Sequence, residues 1–178
     1  MCVKIAQDLH KSQGFEMKVG AIAYRKTPRG VELCLVSSRR HKGKMTFPKG
    51  IVKRGEALIA AAKRELYEEA GLRGKVKQKA RPICYHPRSR DEEAVLYFLV
   101  KVTGVAKAWP ESKERKRVFA TLAKFRSLSL GDAPKRLFRQ LQRLPRFIEP
   151  SYPTGRTSAG SKLSRAKPSR GSSSSLLQ

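Results

Sequence analysis

Three glutamates within one short stretch are the most chemically suggestive feature of the sequence. Glu65, Glu68 and Glu69 stand at positions i, i+3 and i+4, and this spacing brings their carboxylates onto one face of a helix within about one turn. Because three like charges repel at that distance, a cation is expected among them. Clustered carboxylates commonly hold a hard divalent ion such as Mg²⁺, so the spacing predicts a metal site on a helix.

A divalent cation held in this way would suit the hydrolysis of a phosphoanhydride bond. That reaction needs a water molecule made nucleophilic and a positive charge close to the phosphoryl oxygens, and a bound metal supplies both. A metal held by the three glutamates could therefore support such a reaction.

Basic residues crowd the stretch that leads into the glutamates. Eight of them lie on either side of a short predicted strand: Arg39, Arg40, His41, Lys42, Lys44, Lys49, Lys53 and Arg54. Arginine makes bidentate contacts with phosphate oxygens and lysine acts as a point charge, so the mixture suits a multiply phosphorylated ligand. We expect these side chains to bind such a ligand; the alternative is a basic loop that contacts only solvent.

The helix that carries the glutamates is predicted between Gly55 and Gly71. Glu56 is expected in its first turn, where a negative charge complements the helix dipole, and Gly71 is suited to the left-handed conformation that ends a helix. An apolar stripe with helical spacing lies beside the glutamates and consists of Ile59, Ala62, Leu66 and Ala70. One side of the helix is therefore expected to pack on a core, while the neighbouring side carries the chemistry.

Short stretches rich in β-branched or alternating residues predict the strands that support this helix. They cover residues 18–24, 31–37, 45–47, 75–85, 94–102 and 118–122. The first two are expected to form a hairpin, and Pro48 ends the third because proline cannot donate to a strand ladder. A second helix is predicted to start with Asp132 as its N-cap and to carry Leu137, Leu141 and Leu144 on one face. This order of strands and helices indicates an α/β/α sandwich with a mixed sheet.

Length and composition indicate one folded domain with two flanking segments. The 178 residues suit a domain at 17–148 that follows an N-terminal arm at 1–16. Residues 149–178 are basic and rich in Ser, Pro and Gly, and we expect them to form a disordered tail because they cannot bury enough apolar surface.

The strong excess of basic residues points to anionic partners. The formal net charge is +26, from 40 Lys and Arg against 14 Asp and Glu. A small polyphosphorylated substrate fits this charge, and weak nonspecific RNA contact through the basic surface and the tail is also expected.

The lengths of the apolar runs and the spacing of the cysteines indicate the cellular compartment of the protein. The longest apolar run, 94–100, is far shorter than the roughly 18 residues that span a bilayer, so we expect no membrane partner. Cys2, Cys34 and Cys84 show no metal-ligand pairing and indicate reduced thiols. Together these features favour the cytoplasm, or the nucleus in a eukaryote.

The stretch around the glutamates resembles the signature of the Nudix hydrolase family. The matching positions are Gly50, Glu56, Arg64, Glu65, Leu66, Glu68, Glu69, Gly71 and Leu72, and all of them stand in the family's order and spacing. The resemblance implies a Nudix-type α/β/α sandwich with a mixed β-sheet and a catalytic loop-helix-loop. It also implies a diphosphohydrolase that uses Mg²⁺ or Mn²⁺.

The same resemblance implies roles for individual residues. Glu68 and Glu69 would be the principal metal ligands, and Glu65 would be a further ligand or the base that accepts a proton from water. Arg64 would orient Glu65 and pair with Glu56, while the Gly50 carbonyl would add a ligand. A further acid from outside the signature is common in similar proteins, and the candidates are Glu92, Glu93 and Glu111.

The flanks of the signature resemble the branch of the family that cleaves diphosphoinositol polyphosphates and diadenosine polyphosphates. The similar stretches are 37–41, 47–50, 109–111 and 115–117. Two positions depart from that branch: Ile51 stands where a second glycine is frequent, and Met45 where a tryptophan is frequent. Such a highly anionic small molecule is therefore the expected substrate.

Two other functions remain open. One is an RNA 5′ pyrophosphohydrolase of the decapping type, which the net charge would also suit. The other is a non-catalytic Nudix-fold subunit that binds RNA or a ribonucleoprotein, although such subunits usually lose carboxylates of the signature. Trp109 bears on this choice: it either packs in the core or at its rim, or offers a stacking surface for a base.

Overall fold

The computed structural model describes residues 16–77, 81–87 and 94–142 of the chain. These ranges contain eight strands and three helices. In chain order they are β1 (Lys18–Thr27), β2 (Gly30–Ser37), β3 (Met45–Thr46), β4 (Lys49–Ile51), α1 (Leu58–Ala70), β5 (Leu72–Val76), β6 (Ile83–Tyr85), β7 (Val95–Val105), β8 (Arg117–Thr121), α2 (Leu122–Phe125) and α3 (Asp132–Gln142).

The strands form one mixed sheet in which β1 is central. Its main path runs β3-β2-β1-β7-β5, while β4 pairs with β1, β6 with β7 and β8 with β2. Only the β1–β7 pairing is parallel among the described strands, with a register from Lys18↔Val95 to Tyr24↔Lys101. The predicted hairpin is confirmed because β1 and β2 pair antiparallel around Thr27↔Gly30.

Each face of the sheet is covered by helix. On one face α1 packs against Ala21, Ala23 and the even-numbered residues Leu96 and Phe98. On the other face α3 and Phe125 pack against a cluster that includes Ile22, Leu33, Tyr97 and Leu99. The small side chains of β1 leave room for α1 to lie close to the sheet. The predicted α/β/α sandwich with a mixed sheet is therefore confirmed.

The helix α1 ends as predicted but begins later. Gly71 follows it with φ 61°, the left-handed conformation, and its N–H donates to the Tyr67 carbonyl at 2.8 Å. The first helical residue is Leu58, with Ala57 as N-cap, so the expectation that Glu56 lies in the first turn is wrong. Glu56 lies instead in the preceding turn, where its carboxylate accepts the N–H of Lys53 at 3.0 Å.

The buried face of α1 differs from the predicted stripe at one position. Ala62, Leu66 and Ala70 are buried as predicted, and Ala61 joins them. Ile59 is 42% exposed, because it belongs to the first turn and the buried face starts with Ala61.

Two predicted strands need correction, and one observed strand was not predicted. The stretch 75–85 is not one strand, because β5 pairs with the far end of β7 and β6 with its beginning. The strand β4, absent from the prediction, pairs Gly50 with Val19 of β1. The predicted strand 118–122 is β8, but Leu122 is the first residue of α2.

The second predicted helix is confirmed as α3, with one change at its start. Asp132 is the first helical residue rather than a cap outside the helix. Leu137 and Leu141 are buried, and Leu144 lies outside the described residues. Across the described ranges, the helices lack the length and apolar character that crossing a bilayer requires.

The cysteines differ from the expectation of reduced thiols. Cys34 is a buried free thiol, and burial raises its pKa to about 12. Cys84 is disulfide-bonded, so the expectation is wrong for this residue.

Candidate functional site

A cleft of about 560 Å³ opens between α1, the residues before it and the start of α3. Five acidic residues line it: Glu65, Glu68, Glu69, Glu111 and Asp132. Nine basic residues line it as well: Lys18, Arg39, Arg40, His41, Lys44, Lys49, Lys53, Arg64 and Arg115. Carboxylates and cations thus face the same space.

Gly50 brings the strand β4 into contact with the acidic face of α1. A Cβ added at Gly50 would lie 2.1 Å from Cδ of Glu65 and 2.2 Å from its Oε1. Only a residue without a side chain can therefore occupy this position while Glu65 keeps its place. Gly50 and Glu65, both predicted as metal ligands, are thus neighbours in the structure.

Arg64 is the centre of an ionic network at the edge of the cleft. Its Nε and Nη2 donate to the two carboxylate oxygens of Glu56, each at 2.8 Å. Its Nη1 donates to Glu65 Oε1 at 2.5 Å and to Glu68 Oε2 at 3.0 Å, and Nη2 also donates to the Ile51 carbonyl at 3.0 Å. One guanidinium thus holds three carboxylates of the signature in fixed relative positions.

The pairing with Arg64 keeps Glu56 ionised. Hydrogen bonds from Arg64 lower the pKa of Glu56 to about 2, with a smaller contribution from the Lys53 N–H. The same carboxylates raise the pKa of Arg64 further above its usual value. Glu56 does not line the cleft, and it contacts the cleft residues through Arg64.

Glu69 is the most buried of the three glutamates. Its Oε1 accepts a hydrogen bond from Nη2 of Arg115, and its Oε2 accepts the N–H of Lys49 at 3.2 Å. Burial raises the pKa of the Glu69 carboxyl to about 7, against the opposing influence of Arg115 and the Lys49 N–H. A cation beside this carboxylate would therefore favour its charged form.

Arg115 connects the glutamate helix to the basic loop. It is buried, donates to the Ser37 carbonyl at 2.8 Å, and pairs with Glu111 through its Nε. Glu111 in turn lies 3.4 Å from Nη1 of Arg39, which also pairs with Glu114 at 3.2 Å. The sequence interpretation assigned no role to Arg115, and its only signal was the basic run 115–117.

One of the three candidate acids outside the signature lies at the cleft. Glu111 lines the cleft and lies beside the glutamate helix, where its N–H donates to the Glu68 carbonyl at 3.1 Å. Glu92 and Glu93 lie outside the described residues. Of the three candidates, Glu111 is thus the one that the structure brings to the site.

Six of the eight predicted phosphate-binding residues line the cleft: Arg39, Arg40, His41, Lys44, Lys49 and Lys53. Lys42 and Arg54 are exposed and are not part of its lining. Lys42 occupies the tip of a turn in which the Lys44 N–H donates to the His41 carbonyl at 3.1 Å. Arg54 lies in the turn that Glu56 closes by its contact with the Lys53 N–H.

The glutamates offer donors suited to a hard cation but do not converge on one point. Among the described residues, no three carboxylate, imidazole or thiolate side chains form a group that could hold a metal ion as they stand. The cation expected among the glutamates is a guanidinium: Arg64 lies between Glu65 and Glu68, and Arg115 contacts Glu69. The oxygen donors, their common face and the bare Cα of Gly50 fit a divalent ion in chemistry.

One end of the cleft is apolar. It is lined by Met45, Tyr85, Val95, Ala133 and Pro134, and the ring of Tyr85 lies 5.3 Å from the guanidinium of Arg136. A ligand that fills the cleft would therefore meet apolar side chains at this end, beside the charged Asp132 of the same lining.

Trp109 packs at the end of α1. Its indole N–H donates to the Glu69 carbonyl at 3.2 Å, and the guanidinium of Arg117 lies 4.3 Å from its ring centroid. Trp109 is absent from the cleft lining. The packing interpretation of this residue is confirmed.

Comparison with known protein families tests the resemblance of the signature. A family model described as the NUDIX domain matches residues 15–144, and the chain belongs to the Nudix family. The resemblance drawn from the signature is thereby confirmed.

Curated relatives are similar over the same region. The chain is 31% identical over 125 residues to Nudix hydrolase 4 of Arabidopsis thaliana, with 65% of this chain and 59% of the relative covered. It is 32% identical over 101 residues to diphosphoinositol polyphosphate phosphohydrolase 3-alpha of Mus musculus, with 56% and 59% covered. The match thus spans about three fifths of the length of these relatives.

Solved structures share the fold. The Ap4A hydrolase of C. elegans superposes with a TM-score of 0.55 at 23% identity, covering 71% of this chain and 96% of that one. The MutT protein from Methanosarcina mazei Go1 gives a TM-score of 0.54 at 22% identity, with 72% and 93% covered.

Proposed function

We propose that this chain hydrolyses a phosphoanhydride bond in a small, highly anionic substrate with the help of a divalent cation. The observation that carries the proposal is the meeting of carboxylates and cations in one cleft. Three signature glutamates and six of the predicted phosphate-binding residues line the same space. A substrate rich in phosphate would be held by the cations with a phosphoryl group beside the carboxylates.

The proposed metal ligands are Glu65, Glu68 and Glu69, with the Gly50 carbonyl as a further donor. A bound Mg²⁺ or Mn²⁺ would supply positive charge to the phosphoryl oxygens and lower the pKa of water. Glu69 approaches the site from a buried position, and Glu68 is more exposed, with 36% of its side chain accessible. The two carboxylates would thus hold the ion from the inner and the outer side.

Glu65 is placed to act as a ligand or as the base that accepts a proton from water. Its carboxylate is held on one side by Nη1 of Arg64 and on the other by the Cα of Gly50. Arg64 is itself fixed by Glu56, so Glu65 has little freedom to turn away from the cleft. We propose that Arg64 and Glu56 act together to orient Glu65.

Diphosphoinositol polyphosphates are the proposed substrate class. The density of cations in the cleft supports this, because a ring with many phosphate groups needs contacts spread in several directions. The similarity to a diphosphoinositol polyphosphate phosphohydrolase supports it as well. The domain proposed at 17–148 would carry this activity, with the tail at 149–178 outside the site.

A diadenosine polyphosphate is the second candidate substrate. The apolar end of the cleft, with Tyr85 and Val95, favours it because a nucleobase would pack better there than a phosphate group. The distinction between the two candidates is therefore whether the ligand needs one uncharged end.

A substrate panel tests the proposal. Purified full-length protein is assayed with a diphosphoinositol polyphosphate, diadenosine tetraphosphate and 5′-triphosphorylated RNA, each with Mg²⁺ and with Mn²⁺. We expect turnover that depends on the metal and is highest with the inositol compound. Highest turnover with the RNA would replace the proposal with a decapping-type activity, and no turnover with folded protein and either metal would favour a binding subunit.

A further inference from the structure

The end of α1 is bound by residues 106–117, which run from the end of β7 to the first residue of β8 and which we name the capping segment. Four donors of this segment reach carbonyl groups at the end of the helix. They are the N–H of Glu111 to Glu68 at 3.1 Å, the indole N–H of Trp109 to Glu69 at 3.2 Å, Nη1 of Arg117 to Ala70 at 2.6 Å, and the N–H of Ala106 to Gly71 at 2.8 Å. Carbonyls that have no partner within the helix are thus satisfied by one segment.

Arg117 holds the capping segment together. Its guanidinium lies over the ring of Trp109 at 4.3 Å, while its Nη2 donates to the Ala106 carbonyl at 3.1 Å. One side chain therefore joins the start of the segment, its tryptophan and the last residue of α1. A planar fork is needed for this, because a lysine cannot stack on the ring and donate in two directions at once.

The side chain of Trp109 packs tightly against Gly71 at the end of α1. A Cβ added at Gly71 would be 2.8 Å from Cβ and Cγ of Trp109. The tryptophan thus fixes the distance between the capping segment and the last turn of α1.

We infer that Arg117 is a positioning residue for the carboxylates of Glu68 and Glu69. The capping segment binds the carbonyls of both glutamates and those of Ala70 and Gly71, which follow them, so it sets the place from which the two side chains start. The same segment carries Glu111 and Arg115, which reach the cleft. The inference rests on the proposed function, since it concerns the residues proposed to hold the metal.

The test compares two arginine-to-lysine variants of the full-length protein. Arg117→Lys keeps the charge but loses the fork, and Arg25→Lys is its matched control. Arg25 also stacks on an aromatic ring, that of Phe119 at 3.7 Å, and it is bonded to Glu32 rather than to the helix end. Both variants lose one stacked guanidinium, but only Arg117 touches α1.

We expect Arg117→Lys to lower kcat by about tenfold or more with KM within about twofold of the wild type, because misplaced catalytic groups slow the reaction more than they weaken binding. Arg25→Lys is expected to keep both constants within about twofold. Hydrogen exchange of the Glu111 and Ala106 amides, measured without metal or substrate, should be at least about tenfold faster in Arg117→Lys alone.

Unchanged kcat and unchanged exchange in Arg117→Lys would overturn the inference, and so would a rise in KM at constant kcat. If this variant does not fold, Trp109→Phe takes its place: it keeps a ring but loses the N–H to Glu69, and slow exchange at Glu111 would then refute the inference. A wild type that hydrolyses none of the substrates would refute the proposed function, whereas the exchange rates would still decide on the capping segment.

Discussion

The carboxylate of Glu65 lies directly against the Cα of Gly50, so that a methyl group at position 50 would come within 2.3 Å of all three carboxyl atoms of the glutamate. This contact joins β4 to the acidic face of α1. It explains why the loop before the helix must contain a residue without a side chain at this point. The Gly50 backbone and the Glu65 carboxylate form one unit at the cleft.

Gly50→Ala should therefore abolish most of the activity. The added methyl must displace Glu65, and a displacement of about 1 Å in a catalytic group costs roughly a hundredfold in rate. We expect kcat to fall by about 10- to 100-fold with little change in circular dichroism.

Gly104→Ala is the matched control for Gly50→Ala. An added Cβ at Gly104 meets nothing closer than 3.7 Å, so its kcat should equal that of the wild type. Equal activity of the two variants would show that the contact between Gly50 and Glu65 does not matter for the reaction.

Glu68 and Glu69 should both be needed for turnover, but their neutralisation should affect stability differently. Glu68→Gln and Glu69→Gln are both expected to lower turnover by orders of magnitude and to weaken Mn²⁺ binding in calorimetry. Glu69→Gln should also raise the free energy of unfolding above about pH 7, because burial raises the pKa of Glu69 to about 7 and its ionised form is therefore costly in the folded state. Glu68→Gln removes a partly exposed contact and should have little effect on stability.

Glu16→Gln serves as the control for both glutamate variants, since Glu16 is exposed and does not line the cleft. Near-normal hydrolysis by Glu68→Gln and Glu69→Gln would remove the proposed metal role of these residues.

The helix α1 and the β1–β2 hairpin were predictable because their signals are local. Helical spacing of the alanines with Leu66, and a glycine at position 71, determine the direction and the end of the helix within a few residues. The same local reasoning failed at Glu56. Its position depends on the bidentate contact with Arg64, eight residues away, which competes with the preference of acids for a first turn.

Contacts between distant parts of the chain were not predictable in this way. The pairing of β4 with β1 and the separation of β5 from β6 follow from partners in other strands. Arg115 reaches Glu69 across 46 residues, and no periodic pattern reports such a contact. The residue types of the site could thus be predicted from the sequence, whereas the contacts of Arg115 with Glu69 and Glu111 came only from the tertiary structure.

The basic residues that line the cleft should matter more for substrate binding than basic residues elsewhere on the surface. Arg39→Gln with Arg40→Gln should raise KM for a diphosphoinositol polyphosphate by about tenfold or more, because each lost phosphate contact weakens binding by about 1–2 kcal/mol. The KM for a simple nucleoside triphosphate should rise less. Steady-state kinetics with both substrates measure the difference.

Lys42→Gln with Arg54→Gln changes the net charge by the same amount and removes cations outside the cleft lining. This double variant should leave KM within about twofold of the wild type. Equal rises of KM in both double variants would indicate a nonspecific effect of surface charge.

Removal of residues 150–178 should leave hydrolysis unchanged. These residues lie outside the described part of the chain, and the family match ends before them, at residue 144. The truncated chain should show kcat and KM within about twofold of the full chain. A large loss of activity would place the tail in the site, and weaker binding to a poly(U) probe at low salt would show that the tail contacts RNA.

The ion pair of Glu56 and Arg64 predicts how stability depends on pH. The folded pKa of Glu56, about 2, lies below its ordinary value of 4.5, so the stabilising contribution is fully present above the ordinary value and is lost as the pH falls towards 2. The free energy of unfolding of the wild type should exceed that of Glu56→Gln by roughly 1–3 kcal/mol at pH 7, because the pair is only partly screened by solvent. Urea denaturation between pH 7 and pH 3 should show this difference constant down to about pH 5 and then shrinking. A difference that stayed constant to pH 3 would mean that the contact with Arg64 does not lower the pKa of Glu56. In that case the orientation of Glu65 would have to depend on Gly50 alone.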